Sequence, residues 1–278
     1  MTKIFFVLLL ILNSGFSRAE TEIEKIERKH KVEIGVHAVQ GAKSFSNRED
    51  QRFAYCSTFK WILCAAVLKK VEEGKLKLQQ PVGYKKKDLI VHSPVTTKNL
   101  KEGSMSVGDL CAATIQTSDN AAANLLSALV GDLKGLESFA RGYGDSTIRF
   151  DRPEPLLNTN IAGDLRDTTT AKAMTTLLKN VISGPGLSKE SKEQLLTWMK
   201  GTTTGANRIR ASIPSGWAFG GKTGTANQDA ANDVAVIYPP NQDPIYITVF
   251  VNGKGAGMES REAAIAETTK EVIRKFAP

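Results

Sequence analysis

Four short patterns in the chain hold residue types that can do chemistry together. In Ser57-Thr58-Phe59-Lys60, a Ser and a Lys three apart at a helix start share one face. A poised Lys there can take the hydroxyl proton. The helix N-terminus offers N–H groups and a positive dipole end to a developing oxyanion. Such a Ser is a candidate nucleophile. In Ser118-Asp119-Asn120 a hydroxyl can relay a proton to a leaving nitrogen, and an amide can bind a carbonyl. In Lys222-Thr223-Gly224 an ammonium and a hydroxyl suit a carboxylate, and Gly224 lets a ligand approach the backbone closely. In Arg152-Pro153-Glu154-Pro155-Leu156-Leu157-Asn158, a carboxylate and an amide four apart can hold one water, with Glu154 as its general base. Taken singly, each pattern has a plainer origin: a helix cap with a surface Lys, a polar N-cap, a strand end, a loop acid. Their combination and order carry the argument.

A competing match is Gly216-x-x-x-x-Gly221-Lys222-Thr223, which spells a phosphate-cradling loop. That loop has to open a helix, and here polar loop and then a strand follow, so the match is read as accidental. Three cysteines (56, 64, 111) and three histidines (30, 37, 92) show no metal-ligand spacing, and no metal or organic cofactor is expected. In an oxidising compartment one cysteine pair could bond and leave one thiol over. The basic residues are scattered; the densest run, Lys85-Lys86-Lys87, has no aromatic interleaving and reads as a solvated turn. No nucleic-acid partner is expected.

The elements that must position these residues follow from periodicity. Helical spacing covers Ile23 to His30, Ser57 to Glu73, Val107 to Ile115, Ala121 to Val130, Thr169 to Ile182, Ser188 to Met199 and about Ser260 to Phe276. Two of these open on Thr or Ser, as N-caps do. Strands are expected at Val32 to Val39, Trp217 to Gly224, Asn232 to Tyr238 and Ile245 to Val251. Arg152 to Thr170 has no periodicity and reads as a long ordered loop, with Arg152 and Asp167 able to pair across its neck. Strands at both ends and helices between imply an α/β layer with an inserted all-helical lobe. The expected units are 20–56 with 201–278, and 57–200 including the 152–167 loop. A cleft between them is a natural site.

The N-terminus reads as an export signal: Lys3, the apolar run Ile4 to Leu12, then Ser17-Arg18-Ala19, with cleavage expected after residue 19. The apolar run is too short to span a bilayer. Those nineteen residues carry Lys3, Arg18 and no acid, so the net charge of +8 falls to +6 without them. A periplasmic or secreted monomer with no stable membrane anchor is expected.

Ser-x-x-Lys, Ser-Asp-Asn and Lys-Thr-Gly occur once each and in that order, with the Glu154 loop between the second and third. In this the chain resembles the class A serine β-lactamases along its whole length after residue 19. The resemblance implies a β-lactamase/transpeptidase-like fold, an antiparallel sheet flanked by terminal helices. It implies that Ser57 attacks the lactam carbonyl to form an acyl-enzyme, with Lys60 or Glu154 as the acylation base. The backbone N–H groups of Ser57 and Thr225 would form the oxyanion hole, and Asn120 would bind a substrate carbonyl. Ser118 would protonate the ring nitrogen, and Lys222, Thr223 and Ser118 would hold the substrate carboxylate beside Gly224. Glu154 with Asn158 would position the hydrolytic water. Arg208 matches one position where the family places a carboxylate-pocket arginine; another such position is Ala231 here. The resemblance also implies a Cys64–Cys111 disulfide. Cys56 is similar to a cysteine of the class A carbapenemases, but its partner position is Ala226. The alternatives are a D-Ala-D-Ala peptidase or penicillin-binding protein, which would not need Glu154 and Asn158, and a non-catalytic β-lactam sensor.

Overall fold

Residues 20–226 and 229–277 are described by the structure, a computed structural model. The expected export segment 1–19 lies outside the described residues. In chain order the elements are α1 (Glu22–His30), β1 (Glu33–Gln40), β2 (Lys43–Asn47), β3 (Arg52–Ala54), α2 (Lys60–Glu72), β4 (Pro81–Gly83), α3 (Pro94–Lys98), β5 (Ser104–Ser106), α4 (Val107–Gln116), α5 (Asn120–Val130), α6 (Asp132–Gly142), β6 (Thr168–Thr170), α7 (Ala171–Ser183), α8 (Lys189–Lys200), β7 (Ala218–Ala226), β8 (Ala230–Tyr238), β9 (Ile245–Asn252) and α9 (Met258–Phe276).

Local chemistry accounts for the helix starts. Thr21 and Glu24 form a reciprocal capping box on α1. Ser106, Asp119, Thr170 and Ser188 each accept a backbone N–H at the start of α4, α5, α7 and α8. The four long strands expected from the sequence join β2 in one antiparallel sheet, ordered β2-β1-β9-β8-β7. Its register places β1, from one end of the chain, against β9, from the other, with Glu33 opposite Asn252.

The sheet is covered on both faces. Val234 and Val236 of β8 enter a core shared with α2, α4, α5, α7 and α8. Ala235 and Ile237, pointing the other way, enter a core shared with α1 and α9. This explains why β8 reads as a nearly unbroken apolar run. In α2 every residue from Lys60 to Leu68 is buried, so the helix that carries Lys60 runs through the core of the helical layer.

Two expectations change. Ser57 does not lie in the α-helix; it sits in a 3-10 turn, Cys56–Phe59, that leads into α2 at Lys60. The Cys64–Cys111 disulfide is not formed: all three cysteines are free and buried. The Cys64 thiol instead points at the Cys111 carbonyl, 3.6 Å away, and the contact is a weak hydrogen bond rather than a covalent one. The phosphate-loop pattern falls on a turn and on β7, with no helix after it. Among the described residues no helix is long and apolar enough to cross a membrane.

Candidate active site

The site assembles where the turn before α2, the start of α5, the 152–167 loop and β7 meet. Gly224 of β7 packs so tightly on the turn that holds Ser57 that an added Cβ would lie 2.6 Å from the Tyr55 carbonyl oxygen and 3.0 Å from Thr58 N. Here the glycine serves a close approach of two backbones. Cys56 and Ser118, next to or within the motifs, both hold left-handed backbone (φ 50° and 62°), as does His92 across the cleft (φ 58°). Non-glycine residues in this region cost about 1 kcal/mol or more each and persist only where the surroundings enforce them.

Lys60 is fully buried and is the hub. Its Nζ lies 2.9 Å from Glu154 Oε1, 2.7 Å from the Ser118 carbonyl, 3.3 Å from Ser118 Oγ and 2.5 Å from Asn120 Oδ1. Burial pushes its ammonium below the ordinary lysine range, while the Glu154 carboxylate pulls it back up. The Ser57 hydroxyl donates to the same Glu154 Oε1 at 3.1 Å. One carboxylate oxygen thus faces both the Ser and the Lys.

Glu154 is held from three directions. Asn158 donates its amide N–H to Oε2 at 2.5 Å. Asn124, one turn along α5 from Asn120, accepts the Glu154 backbone N–H (3.1 Å) and donates to its carbonyl (2.9 Å). The loop itself is tied at its neck, as the sequence suggested. Asp167, wholly buried, accepts the Arg152 guanidinium at 2.5 Å, the backbone N–H groups of Asp151 and Arg152, and the Tyr55 hydroxyl.

On the opposite wall, Lys222 Nζ donates to Ser118 Oγ at 3.0 Å and to the Thr223 carbonyl at 2.7 Å. Ser118 Oγ therefore lies between two lysines. Arg208 is buried against β7 and reaches the Gly224 carbonyl (2.9 Å), the Asn232 carbonyl (3.0 Å) and Thr225 Oγ1 (2.9 Å). Glu262 of α9 pairs with its Nε at 3.1 Å. Ala231 stands directly opposite Thr225 in the sheet.

An open cleft of about 790 Å³ brings Ser57, Ser118, Asn120, Asn158, Thr223, Gly224, Thr225 and Arg208 together. Lys60, Glu154 and Lys222 lie behind it, bonded to residues that line it. Asn120 has its Oδ1 on Lys60 and an N–H on the Val91 carbonyl, so one amide N–H is left for a ligand. Cys56 packs beside Ala226 in a small cluster with Ala54 and Ala230. Sequence reasoning missed Asn124, Glu262, Thr204 and the exposed Val91 and Leu156 at the mouth. Only Asn124 carried a signal, its i+4 spacing from Asn120. Asp119, in the motif but without an assigned role, caps α5 and binds Val95 N, Thr96 N and the Thr96 hydroxyl.

Residues 18–276 match the family described as the β-lactamase enzyme family. The chain is 44% identical to an imipenem-hydrolysing β-lactamase of Enterobacter cloacae, over 97% of this chain and 95% of that protein. It is 40% identical to the β-lactamase Toho-1 of Escherichia coli, over 95% and 91%. Among solved structures it is similar to a class A β-lactamase representing the last common ancestor of Gram-negative bacteria (TM-score 0.89, 42% identity, 92% of this chain and 98% of that one). A β-lactamase from Burkholderia vietnamiensis gives a TM-score of 0.89 at 37% identity, over 92% and 96%. With its motifs converging on one cleft and relatives matched along nearly its whole length, the chain belongs to the class A β-lactamases, hydrolases of cyclic amides.

Proposed function

We propose that this protein opens and hydrolyses β-lactam rings through an acyl-enzyme on Ser57, acts after export to the periplasm or medium, and confers β-lactam resistance. The observation that carries this reading is Glu154 Oε1, which accepts from Ser57 Oγ at 3.1 Å and lies 2.9 Å from Lys60 Nζ.

In acylation, Ser57 Oγ attacks the lactam carbonyl carbon as its proton passes to Glu154, or to Lys60 when Glu154 is displaced or replaced. The oxyanion forms against the N–H groups of Ser57 and Thr225. The C–N bond breaks, and the nitrogen takes a proton from Ser118. Lys60 re-protonates Ser118 and recovers a proton from Glu154, so the relay closes with Glu154 ionised again. In deacylation, Glu154 takes a proton from a water held with Asn158. The hydroxide attacks the ester, and Ser57 leaves with the proton. Lys222, Thr223, Ser118 and Arg208 hold the substrate carboxylate, and Asn120 binds the side-chain carbonyl. The partition into units 20–56 with 201–278, and 57–200, is part of the same reading, with the cleft at their boundary.

The test is turnover of nitrocefin by purified protein. Ser57→Ala should lose turnover by at least about three orders of magnitude. Glu154→Ala should give a stoichiometric burst and an acyl adduct on Ser57 detectable by mass spectrometry. Multiple turnover by Glu154→Ala at the wild-type rate removes Glu154 from this role. A burst without turnover in the unmodified protein would point to a penicillin-binding protein instead.

A further inference from the structure

Lys222 and Asp233 are both buried, on neighbouring strands, and neither has an ion-pair partner within 4 Å among the described residues. Lys222 Nζ is satisfied only by the Ser118 hydroxyl and the Thr223 carbonyl. Asp233 Oδ2 accepts the backbone N–H of Ile209 at 3.2 Å, and its Oδ1 has no partner. A buried carboxylate with an orphan oxygen is costly and calls for a reason.

Its position supplies one. Asp233 stands directly opposite Thr223 in the β7–β8 register, so the two share a sheet face, while Lys222 projects from the other. Thr223, Asp233 and Arg208 meet around Gly205. A Cβ there would lie 2.5 Å from Thr223 Cγ2, 3.6 Å from Asp233 Oδ2 and 3.8 Å from Arg208 Cδ. Ile209, whose N–H Asp233 holds, immediately follows Arg208 and opens the 3-10 turn Ile209–Ser212.

We propose that Asp233 is a positioning residue for the carboxylate pocket, keeping Lys222 charged from behind β7 while anchoring the turn that sets Arg208 against Thr225. The inference rests on the functional reading above, in which Lys222 and Arg208 bind the substrate carboxylate.

The surrounding charges leave this task to Asp233. Burial, then Lys60, push the Lys222 ammonium well below the ordinary lysine range, and Asp233 is the largest influence opposing them. Arg208 adds to the downward push, and Glu154 opposes it more weakly than Asp233. Lys200 of α8 lies over the Tyr238 ring, and Arg261 and Glu262 of α9 lie on the Arg208 side.

The test is the titration of Lys222 in the full-length protein with lysines labelled with 13C at Cε, the Lys222 signal being assigned by its loss in Lys222→Arg. Asp233→Asn keeps an acceptor for Ile209 N–H and removes the charge. The Lys222 midpoint should then fall by about one pH unit or more. The KM for benzylpenicillin should begin its alkaline rise at a correspondingly lower pH. In the wild-type protein the Lys222 signal should show a second inflection near pH 6, where Asp233 titrates. That measurement needs no variant and no turnover. An unmoved Lys222 midpoint in Asp233→Asn, or a wild-type signal with no inflection near pH 6, overturns the proposal. Absence of nitrocefin turnover with the Lys222 results intact would overturn only the functional reading.

Discussion

Two buried acids in this protein are supported in opposite ways. Glu154 has both carboxylate oxygens bonded and its backbone clamped on each side by Asn124. Replacing Asn124 by Ala leaves a Glu154 N–H and carbonyl unpaired, at about 1–3 kcal/mol. In the proposed mechanism the Glu154 carboxylate then moves relative to the ester and its water. Asn124→Ala should slow deacylation more than acylation, read as acyl-enzyme accumulation in stopped-flow with nitrocefin; equal slowing of both steps would refute the clamp. Asp233 is instead held ionised at a cost. Its carboxyl is pushed up to about 6 by burial, from an ordinary 3.8. A raised acid stabilises the fold fully below its unfolded pKa, near pH 4, and that contribution is lost as pH climbs through 6. By pH 8 the ionised group costs the fold about 3 kcal/mol, at 1.36 kcal/mol per unit. Asp233→Asn should therefore be more stable than wild type in urea at pH 8, with the difference gone at pH 4. A variant less stable at both values would refute the sign.

At the scale of elements, the 152–167 loop shows what periodicity can and cannot read. Its two prolines and its lack of pattern marked it as an ordered loop, and the charges at its two ends marked the neck. The neck is more than an ion pair. Asp167 gathers one guanidinium, two backbone N–H groups and the Tyr55 hydroxyl, and Tyr55 lies two residues before Ser57. Asp167→Ala empties a wholly buried carboxylate site, strands the half-buried Arg152 and leaves two backbone N–H groups and the Tyr55 hydroxyl without their acceptor, and should cost about 3–5 kcal/mol. It should also impair release of acyl-enzyme, because Glu154 hangs from this loop. A melting curve and a burst experiment on one sample check both, and a drop in midpoint with unchanged deacylation would sever the link. The elements that escaped the sequence were β2, β3, β4, α3, β5, α6 and β6. Four of these are three-residue strands that exist only as pairs: Phe53 faces Thr169, and Val82 faces Met105. A three-residue strand is too short to show an alternation, so only tertiary pairing reveals it. Helix α6 begins one residue after α5 ends, at Gly131 in left-handed backbone, and the short separation hid the boundary. These long strands were legible because segments of eight or nine residues that place three or more β-branched side chains among apolar ones are not turns. The cleft residues were legible as types and order. Their shared oxygen on Glu154 was not, since it arises from loops and helices far apart in sequence.

At the scale of the molecule, the sheet separates a core that carries the site from one that only supports it. Helix α9 spans the distance between these roles. Its first turn brings Met258 and Glu262 to Arg208, while Phe276 lies buried in its last turn among residues of the far core. Those ends are separated by about 27 Å at 1.5 Å per residue. Truncating Phe276 removes a large buried ring and leaves a cavity in the far core, which should lower stability by about 3–5 kcal/mol. Because no catalytic side chain touches that region, kcat and KM at 25 °C should stay within about twofold of wild type, the scale of a small surface effect. Thermal denaturation of Phe276→Ala followed by nitrocefin kinetics on the folded sample decides the matter. Loss of kcat at a temperature where circular dichroism shows the variant fully folded would mean that the far core tunes the site through α9, and that the two sides of the sheet are not separate in function. Retained kinetics with an early melting transition would place the chemistry wholly on the Ser57 side of the sheet.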